Sequence, residues 1–340
     1  PDTINLNELK LFRSFNVTRV QIGVQHTSNI ILRKINRGHT VEQSKDAIKL
    51  LLDNGFKVDI HLMPMLPLST PEIDKQMFNE VLYNPDLQVD QWKVYPTSVV
   101  PWSVLQSWYS NGKYVPYSMD KLFDVLTYMK LNVHPRIRLI RIVRDINSEY
   151  IQGGCNVTHL RQILLEKLQD VCKCIRCRSS KDDHIDKNAK IKIERFKSSG
   201  ANEYFIRYVS KDEQILYGFC RLRLPKINSL QLPEIQNHAL IRELHVYSFM
   251  TPVHSSAHHV QHQGLGKMLL RIAEIIAFFH NYKHISVISG VGVRNYYRKL
   301  GYTLDSTYMF KQLSFLHFFS NIFLVCIRLF PLVNKLCRLG

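Results

Sequence analysis

Two glycines stand one residue apart at the start of a predicted helix, in the segment "VQHQGLGKMLLRI" at residues 260–272. Residues 261–266 have the form Q-x-x-G-x-G. Glycine lets the backbone approach a ligand closely, and the N–H groups of a helix start attract an anion such as a pyrophosphate. The alternative is a helix start that merely contains two glycines. A dinucleotide fold would place an acidic residue about twenty positions later, and this chain has none there.

Three closely spaced cysteines form a second candidate site. Cys172, Cys174 and Cys177 follow the pattern C-x-C-x-x-C. Three soft sulfur ligands suit tetrahedral zinc with a fourth ligand from elsewhere, for which His184 is a candidate. The alternative is three reduced thiols that are close by chance. The chain has seven cysteines, an odd number, which favours a reduced compartment over a disulfide framework.

Length and charge bound the class of protein. The chain has 340 residues, of which 45% are hydrophobic, enough for two globular domains rather than a disordered chain. Its formal net charge is +17, which favours polyanionic partners such as RNA, DNA or a membrane surface. Charge alone does not choose among these partners, because many basic residues simply face solvent.

The chain divides into four predicted regions. Residues 1–150 alternate strand-like and helical runs, which predicts parallel strands with crossover helices, as in the later repeats of an α/β barrel. Residues 151–190 read as a connector that carries the cysteine cluster. Residues 191–312 predict antiparallel strands, the glycine loop, a long helix and a further strand, which together form a mixed α+β layer. Residues 313–340 are a hydrophobic tail.

The order of strand, glycine loop, helix, strand and Tyr-containing turn resembles the GNAT acetyltransferases. The turn is "VRNYYRKLGY" at residues 293–302. The resemblance implies an acetyl-CoA site in which the glycine segment holds the pyrophosphate, a strand contacts the pantetheine, and Tyr297, beside Tyr296, donates a proton or hydrogen bond to the departing thiolate. Glu243 could accept a proton from an amine. The implied cofactor contacts are Glu243, Leu244, His245, Val246, Gln263, Gly264, Leu265, Gly266, Lys267 and Tyr297.

Both halves together resemble the Elongator catalytic subunit family, subunit 3, over residues 1 to 312. That family joins a radical S-adenosylmethionine barrel to a GNAT domain. The runs that carry the resemblance are "GVQ" (23–25), "NRGHT" (36–40), "HLMPMLP" (61–67), "WKVYPT" (92–97), "RIVRDI" (141–146), "CKCIRCR" (172–178), "RELHVY" (242–247), "QHQGLG" (261–266) and "VISGVGVRNYYRKLGY" (287–302).

This resemblance implies a tRNA-modifying acyltransferase. The family uses acetyl-CoA and a 5′-deoxyadenosyl radical to build 5-carboxymethyluridine at the tRNA wobble position. The implied partners are the anticodon arm of tRNA and other Elongator subunits. The family ligates a 4Fe-4S cluster through three cysteines near the start of its barrel, whereas the first cysteine here is Cys155. We therefore expect either an N-terminally truncated sequence or a member that has lost radical chemistry, and no radical activity from this chain alone.

The hydrophobic tail predicts a membrane anchor. Residues 314–333 are long enough to cross a bilayer as a helix, with Arg328 inside and Lys335 and Arg338 beyond the stretch. A helix lying on the membrane surface and a buried terminal helix are the alternatives. An anchor would place the catalytic domains on the cytoplasmic face of an organelle such as the mitochondrial outer membrane.

Two other functions compete with tRNA modification. A protein lysine or histone acetyltransferase would use the same acetyl-CoA loop, with Glu243 as the base, although a basic surface disfavours a lysine-rich substrate. A non-catalytic RNA-binding scaffold, or one tethered to a membrane, would keep the fold without the chemistry. Acetyl-CoA turnover that tRNA stimulates would support tRNA modification. Turnover that histone peptides stimulate would support the lysine acetyltransferase, and a lack of acetyl-CoA binding would support the scaffold.

Overall fold

The computed structural model describes residues 1–157, 159–168, 171–181, 184–247 and 264–314. The predicted ligand Gln263 and the predicted tail from residue 315 onward lie outside these ranges. Within them, no helix has both the length and the apolar character that crossing a bilayer requires. The membrane anchor therefore stays a prediction.

Helices and strands alternate along the first half of the chain, and strands dominate the second half. The helices are α1 (Leu6–Ser14), α2 (Asn29–Lys34), α3 (Val41–Asp53), α4 (Pro71–Tyr83), α5 (Val104–Ser110), α6 (Met119–Asn132), α7 (Leu160–Lys167), α8 (Ile175–Arg178), α9 (Leu265–Phe279) and α10 (Arg294–Arg298). The strands are β1 (Arg19–Gln25), β2 (Lys57–Leu62), β3 (Gln91–Val94), β4 (Ser98–Val99), β5 (Arg138–Arg141), β6 (Gly153–Gly154), β7 (Lys190–Ser198), β8 (Ala201–Val209), β9 (Leu216–Leu224), β10 (Ala239–Val246), β11 (His284–Val287), β12 (Thr303–Asp305) and β13 (Tyr308–Gln312).

The chain forms two compact units that are not contiguous in sequence. The first unit contains Pro1–Ile4, Val20–Lys49 and Val58–Cys177, and the second contains Asn5–Arg19, Leu50–Lys57 and Arg178–Gly340. Helix α1 and the end of α3 thus belong to the second unit, although they lie in the first sixty residues. The boundaries drawn from sequence at 150, 190 and 312 remain predictions.

The first unit is built on the expected α/β cadence. Its main sheet has the order β1-β2-β3-β5, and β3 is parallel to both β2 and β5. Val58, Ile60 and Leu62 of β2 are fully buried, as expected of a strand covered on both faces. The alternating run "RIRLIRIVRDI" at residues 136–146 predicts one strand, but β5 ends at Arg141, where an exposed guanidinium pairs with Asp145.

The second unit is built on a seven-stranded mixed sheet. Its order is β12-β13-β11-β10-β9-β8-β7, and neighbouring strands are antiparallel except that β10 runs parallel to β11. Helix α9 packs on this sheet with Leu269, Ala273 and Ile276 buried in a common core. The sequence predicted a mixed sheet with one long helix in this region, and the structure has both.

A chain of buried ion pairs crosses the second unit. Arg223 is fully buried and donates to Asp53 at 2.6 Å and to Glu203 at 2.9 Å. Glu203 also accepts from Arg242 at 2.6 Å. Arg242 donates in addition to the backbone carbonyl of Phe56 at 3.1 Å. Because both carboxylates are buried and pair with these guanidinium groups, the network joins the end of α3 to strands β8, β9 and β10.

We predict that Arg223→Met lowers the free energy of unfolding by about 3 to 5 kcal/mol, because it leaves Asp53 and Glu203 buried without their shared cation. Urea unfolding followed by circular dichroism would measure the change. Arg298→Met is the matched control, since Arg298 is exposed and its guanidinium donates to its neighbour Asn295 at 2.6 Å. The control should change stability by less than about 0.5 kcal/mol. Equal effects of the two variants would contradict the role of the network.

Candidate functional site

Strand β10 loses its parallel neighbour halfway along its length. The parallel register with β11 runs from Ala239 opposite Ile285 to Ile241 opposite Val287, and one further backbone bond joins Ile288 to Ile241. Residues 242–246 of β10 then pair with β9 alone among the described strands. The two parallel strands therefore separate at their carboxyl ends, which is where open α/β sheets bind ligands.

A β-bulge lies at the point of separation. Ile241 is opposite Leu222 and Glu243 is opposite Arg221, so Arg242 is the extra residue on β10. Bulges re-aim the side chains that follow them and are frequent next to active sites. The side chains of Leu244 and Val246 beyond the bulge are half-buried, while His245 is exposed and stacks with Phe219 at 6.0 Å between ring centroids.

The start of helix α9 meets the end of β10. Gly264 precedes the helix with φ of 74°, a left-handed conformation that favours glycine. A Cβ atom added to Gly266 would lie 3.6 Å from Cγ2 of Val246 and 2.8 Å from the Tyr296 hydroxyl. Lys267 is exposed in the same helical turn and Leu265 is buried. The first N–H groups of α9, Val246 and the Tyr296 hydroxyl are thus brought together.

The two tyrosines of α10 differ in environment. Tyr297 is 5% exposed and packs in the core, while Tyr296 is 38% exposed. Burial raises the pKa of both phenols, and the nearby Cys220 raises each pKa further. Both therefore stay protonated at neutral pH and can act as hydrogen-bond donors. The structure places the Tyr296 hydroxyl, rather than that of Tyr297, directly against Gly266.

Glu243 is engaged in two ion pairs. Its Oε1 pairs with the Lys57 ammonium, and its Oε2 accepts from Arg221 Nε at 3.0 Å. The side chain is only 9% exposed. Both carboxylate oxygens therefore already have cationic partners. This geometry gives Glu243 a structural role in fixing β10 beyond the bulge.

The three clustered cysteines form a compact group of sulfurs. The Sγ atoms of Cys172, Cys174 and Cys177 all lie within 4.8 Å of one another. Cys172 and Cys174 are buried, and Cys177 is half-buried. Within the part of the chain that the structure describes, this is the one such group of three or more possible ligands, and the proposed fourth ligand His184 is not a member of it.

The three thiols differ, because the pKa of Cys174 is lowered whereas the pKa values of Cys172 and Cys177 are raised. Hydrogen bonds from the thiols of Cys172 and Cys177 hold the pKa of Cys174 well below its usual range. The ammonium of Lys130, which is 1% exposed, lies 3.9 Å from the Cys177 sulfur. The Lys130 cation opposes the rise in the pKa values of Cys172 and Cys177, and Cys174 is the thiol most readily ionised to the form that binds a metal.

Several residues that shape the site were missed by reading the sequence. A Cβ added to Gly218 of β9 would lie 3.0 Å from the His245 carbonyl oxygen and 3.2 Å from Leu265 Cδ2, so only glycine fits there without displacement. An isolated glycine in the strand "LYGFCRLRL" was a usable signal for such close approach. No local sequence pattern marked Lys57 or Arg242 as part of the site. Their partners Glu243 and Glu203 lie 186 and 39 residues away along the chain.

Two family models match the first half of the chain. The Radical SAM superfamily model matches residues 1–78, and the Radical_SAM C-terminal domain model matches residues 89–170. A tRNA uridine(34) acetyltransferase of Methanocaldococcus jannaschii is 37% identical over 326 residues, 92% of this chain and 60% of the relative. Elongator complex protein 3 of Schizosaccharomyces pombe is 39% identical over 311 residues, 88% of this chain and 57% of the relative.

A solved structure extends the similarity to the fold. The archaeal Methanocaldococcus infernus Elp3 with an N-terminal deletion aligns with a TM-score of 0.85 at 35% identity. The alignment covers 92% of this chain and 76% of that one. This chain spans about 60% of the length of the curated relatives that it matches. On these similarities, the chain belongs to the Elongator complex protein 3 family of radical S-adenosylmethionine proteins.

Proposed function

We propose that this chain is the acetyl-CoA-binding part of a tRNA uridine-modifying acyltransferase. The observation that carries the proposal is the meeting of the separated end of β10 with the start of α9 and the tyrosines of α10. The relatives named above are tRNA uridine(34) acetyltransferases and Elongator proteins, and the net charge of +17 suits an RNA substrate. The product in this proposal is 5-carboxymethyluridine, and other Elongator subunits are the partners.

In this proposal residues 191–312 are a GNAT domain. The first N–H groups of α9, at Leu265, Gly266 and Lys267, hold the pyrophosphate of acetyl-CoA, because they have no carbonyl partner earlier in the helix. The backbone groups of Leu244 and Val246 that face away from β9 can bond the pantetheine amides. The pantetheine would take the place beside β10 that β11 occupies at residues 239–241. The Lys267 ammonium adds a positive charge at the phosphates.

The tyrosines of α10 supply the proton that the departing thiolate needs. A phenol with a raised pKa is still protonated when the thiolate develops, so it can donate a hydrogen bond to the sulfur or transfer its proton to it and become a phenolate. Tyr297 holds this role by family resemblance, and Tyr296 positions the cofactor through its hydroxyl beside Gly266. Since Glu243 is held by Lys57 and Arg221, we assign it to positioning β10, which weakens the alternative of a lysine acetyltransferase with Glu243 as base.

Two metal groups are implied by the family. A 4Fe-4S cluster with bound S-adenosylmethionine supplies the deoxyadenosyl radical, but residues 1–78, which match the Radical SAM model, contain no cysteine to ligate it. The chain as given does not fit that cluster, and we derive no step through it. For Cys172, Cys174 and Cys177 we propose a structural zinc ion, because three sulfurs this close, one with a lowered pKa, fit a tetrahedral thiolate site.

We predict that Gly266→Ala weakens acetyl-CoA binding by roughly 10- to 100-fold, the loss expected when a hydrogen bond to a charged group is broken. The added methyl would lie 2.8 Å from the Tyr296 hydroxyl and occupy the space that the phosphates approach. Isothermal titration calorimetry would measure the affinity. The control is Gly292→Ala, whose added Cβ meets no atom within 4 Å. An unchanged affinity in Gly266→Ala would contradict the assigned phosphate site.

We predict that Tyr297→Phe lowers the rate of tRNA-stimulated acetyl-CoA hydrolysis by about 100-fold, because the thiolate then leaves without a proton donor. The KM for acetyl-CoA should change little, since the phenol acts on the leaving group. Tyr204→Phe is the control for removal of a buried phenol elsewhere, as its hydroxyl bonds His280 at 2.7 Å. If the rate falls in Tyr296→Phe and not in Tyr297→Phe, the proton donor has been assigned to the wrong tyrosine.

We predict that Cys174→Ser abolishes zinc binding, because it removes the sulfur with the lowered pKa from the group of three. Mass spectrometry of the metal content of purified protein would show about one zinc per chain before the change and nearly none after it. Cys155→Ala serves as the control, since Cys155 is buried outside this group. Zinc content that does not change in Cys174→Ser would reject the site.

A further inference from the structure

Trp102 combines two properties that are rare for a tryptophan. Its side chain is 91% exposed, the largest exposed fraction among the exposed large hydrophobic residues of the described chain. Its backbone has φ of 61°, in the left-handed region that bulky residues rarely adopt. An exposed indole gains nothing from burial, and a strained backbone persists only where its surroundings enforce it. Both features call for a role outside the folding of this chain.

Hydrogen bonds fix the loop that presents Trp102. The Trp102 N–H donates to Oε1 of Gln106 at 2.9 Å, and Nε2 of Gln106 donates to Oε1 of Gln152 at 2.9 Å. The Ser103 hydroxyl donates to the Val100 carbonyl at 2.7 Å and accepts from the Gln106 N–H at 3.2 Å, which caps α5. The indole is therefore displayed from a pre-ordered backbone, so little conformational entropy would be lost on binding.

The Trp102 loop is tied to the segment that follows β5. Strand β4 pairs with β6 through Val99 and Gly153. The ring of Tyr109 lies so close over Gly153 that an added Cβ would be 2.7 Å from its Cζ atom. The joined segment also presents Tyr150, which is 51% exposed. Both segments leave the carboxyl edge of the parallel sheet of the first unit, the edge where such sheets bind ligands.

Positive charge gathers at the same edge. His61, near the end of β2, has its pKa lowered by burial and then by the charges of Lys93, Arg37 and Arg144 in turn. Lys93 lies near the end of β3, and Arg144 follows β5 on the segment that is joined to the Trp102 loop. Arg37 and Arg144 are exposed. An exposed aromatic face on a loop that leaves the same sheet edge as several cations matches a single-stranded nucleic acid, which presents both bases and phosphates.

We propose that Trp102 is a stacking platform for one unpaired base of the RNA substrate, whose phosphates lie along the basic edge near Lys93 and Arg144. Stacking needs only the flat face of a base, so an indole in a polar loop suffices. Ser103 and Gln106, which order the loop, are polar, and Val104 is the one other large apolar side chain of residues 101–106 that is mostly exposed, at 70%. This inference rests on the proposed function, because it names where the RNA substrate is held.

The test compares aromatic and aliphatic side chains at position 102 in the full chain. Binding of a tRNA anticodon stem-loop is measured by fluorescence anisotropy for Trp102→Phe and Trp102→Leu. Trp102→Leu should weaken binding by about 10- to 100-fold, the range found for losing one stacked base, and Trp102→Phe should recover most of the affinity. The dependence of affinity on salt should stay as in the unmodified chain, because the phosphate contacts are unchanged.

Two further variants control for folding and for general apolar surface. Glycine adopts a φ of 61° without strain, so the thermal stability of Trp102→Gly should equal or exceed that of the unmodified chain. Its affinity for RNA should fall as in Trp102→Leu. Val115→Ala removes another exposed apolar side chain, 79% exposed, and should leave RNA affinity unchanged. The platform is refuted if Trp102→Leu and Trp102→Gly bind RNA like the unmodified chain. It is also refuted if Trp102→Leu and Trp102→Phe bind RNA with equal affinity, since that pattern indicates an apolar contact rather than stacking.

Acetyl-CoA binding measured on the same preparations separates the two proposals. If the unmodified chain binds RNA and the Trp102 variants bind it equally well, the platform fails while the proposed function stands. If the unmodified chain binds acetyl-CoA and no RNA, the assignment of tRNA as substrate fails and the platform fails with it. If affinity for RNA falls only in the variants that lack an aromatic ring, both proposals are supported.

Discussion

The separation of β10 from β11 is the constraint on which the candidate site depends. Two parallel strands have no reason to part unless one of them is held elsewhere, and here β10 is held on its other side. The bulge at Arg242 turns the strand, Arg242 is anchored to buried Glu203, and Glu243 is clamped by Lys57 and Arg221. The edge of β10 at Leu244 and Val246, which belongs to the candidate site, is thus positioned by ion pairs of the residues that precede it.

Those ion pairs also explain why the two compact units are interleaved in sequence. Asp53 and Lys57, at the end of α3 and the start of β2, contribute charges to the unit that contains the mixed sheet. Buried charges are costly unless each finds its partner. A chain with these pairs therefore requires residues 50–57 to complete the second unit, and a fragment that began at residue 191 would leave Arg223 and Glu243 without Asp53 and Lys57.

Some parts of this arrangement could be predicted from the sequence, and others could not. The glycine loop, α9 and the two tyrosines follow one another within about forty residues, so their local patterns and order indicated a common site. The alternation of apolar strands and helices likewise predicted the parallel sheet. The bulge, the clamp on Glu243 and the left-handed Trp102 depend on contacts between distant residues or on backbone geometry, for which composition and periodicity carry no signal. For the same reason the sequence could not show that Glu243, predicted as a catalytic residue, pairs with Lys57 and Arg221.

The central claim is that the end of β10 and the start of α9 form one acetyl-CoA site. Hydrogen exchange measured by mass spectrometry with and without desulfo-acetyl-CoA, a non-reactive analogue, tests it directly. The account predicts slower exchange of the backbone amides at residues 243–247 and 264–268, with β7 and β12 unchanged. Protection confined to other parts of the chain, or no protection at saturating analogue, would contradict it.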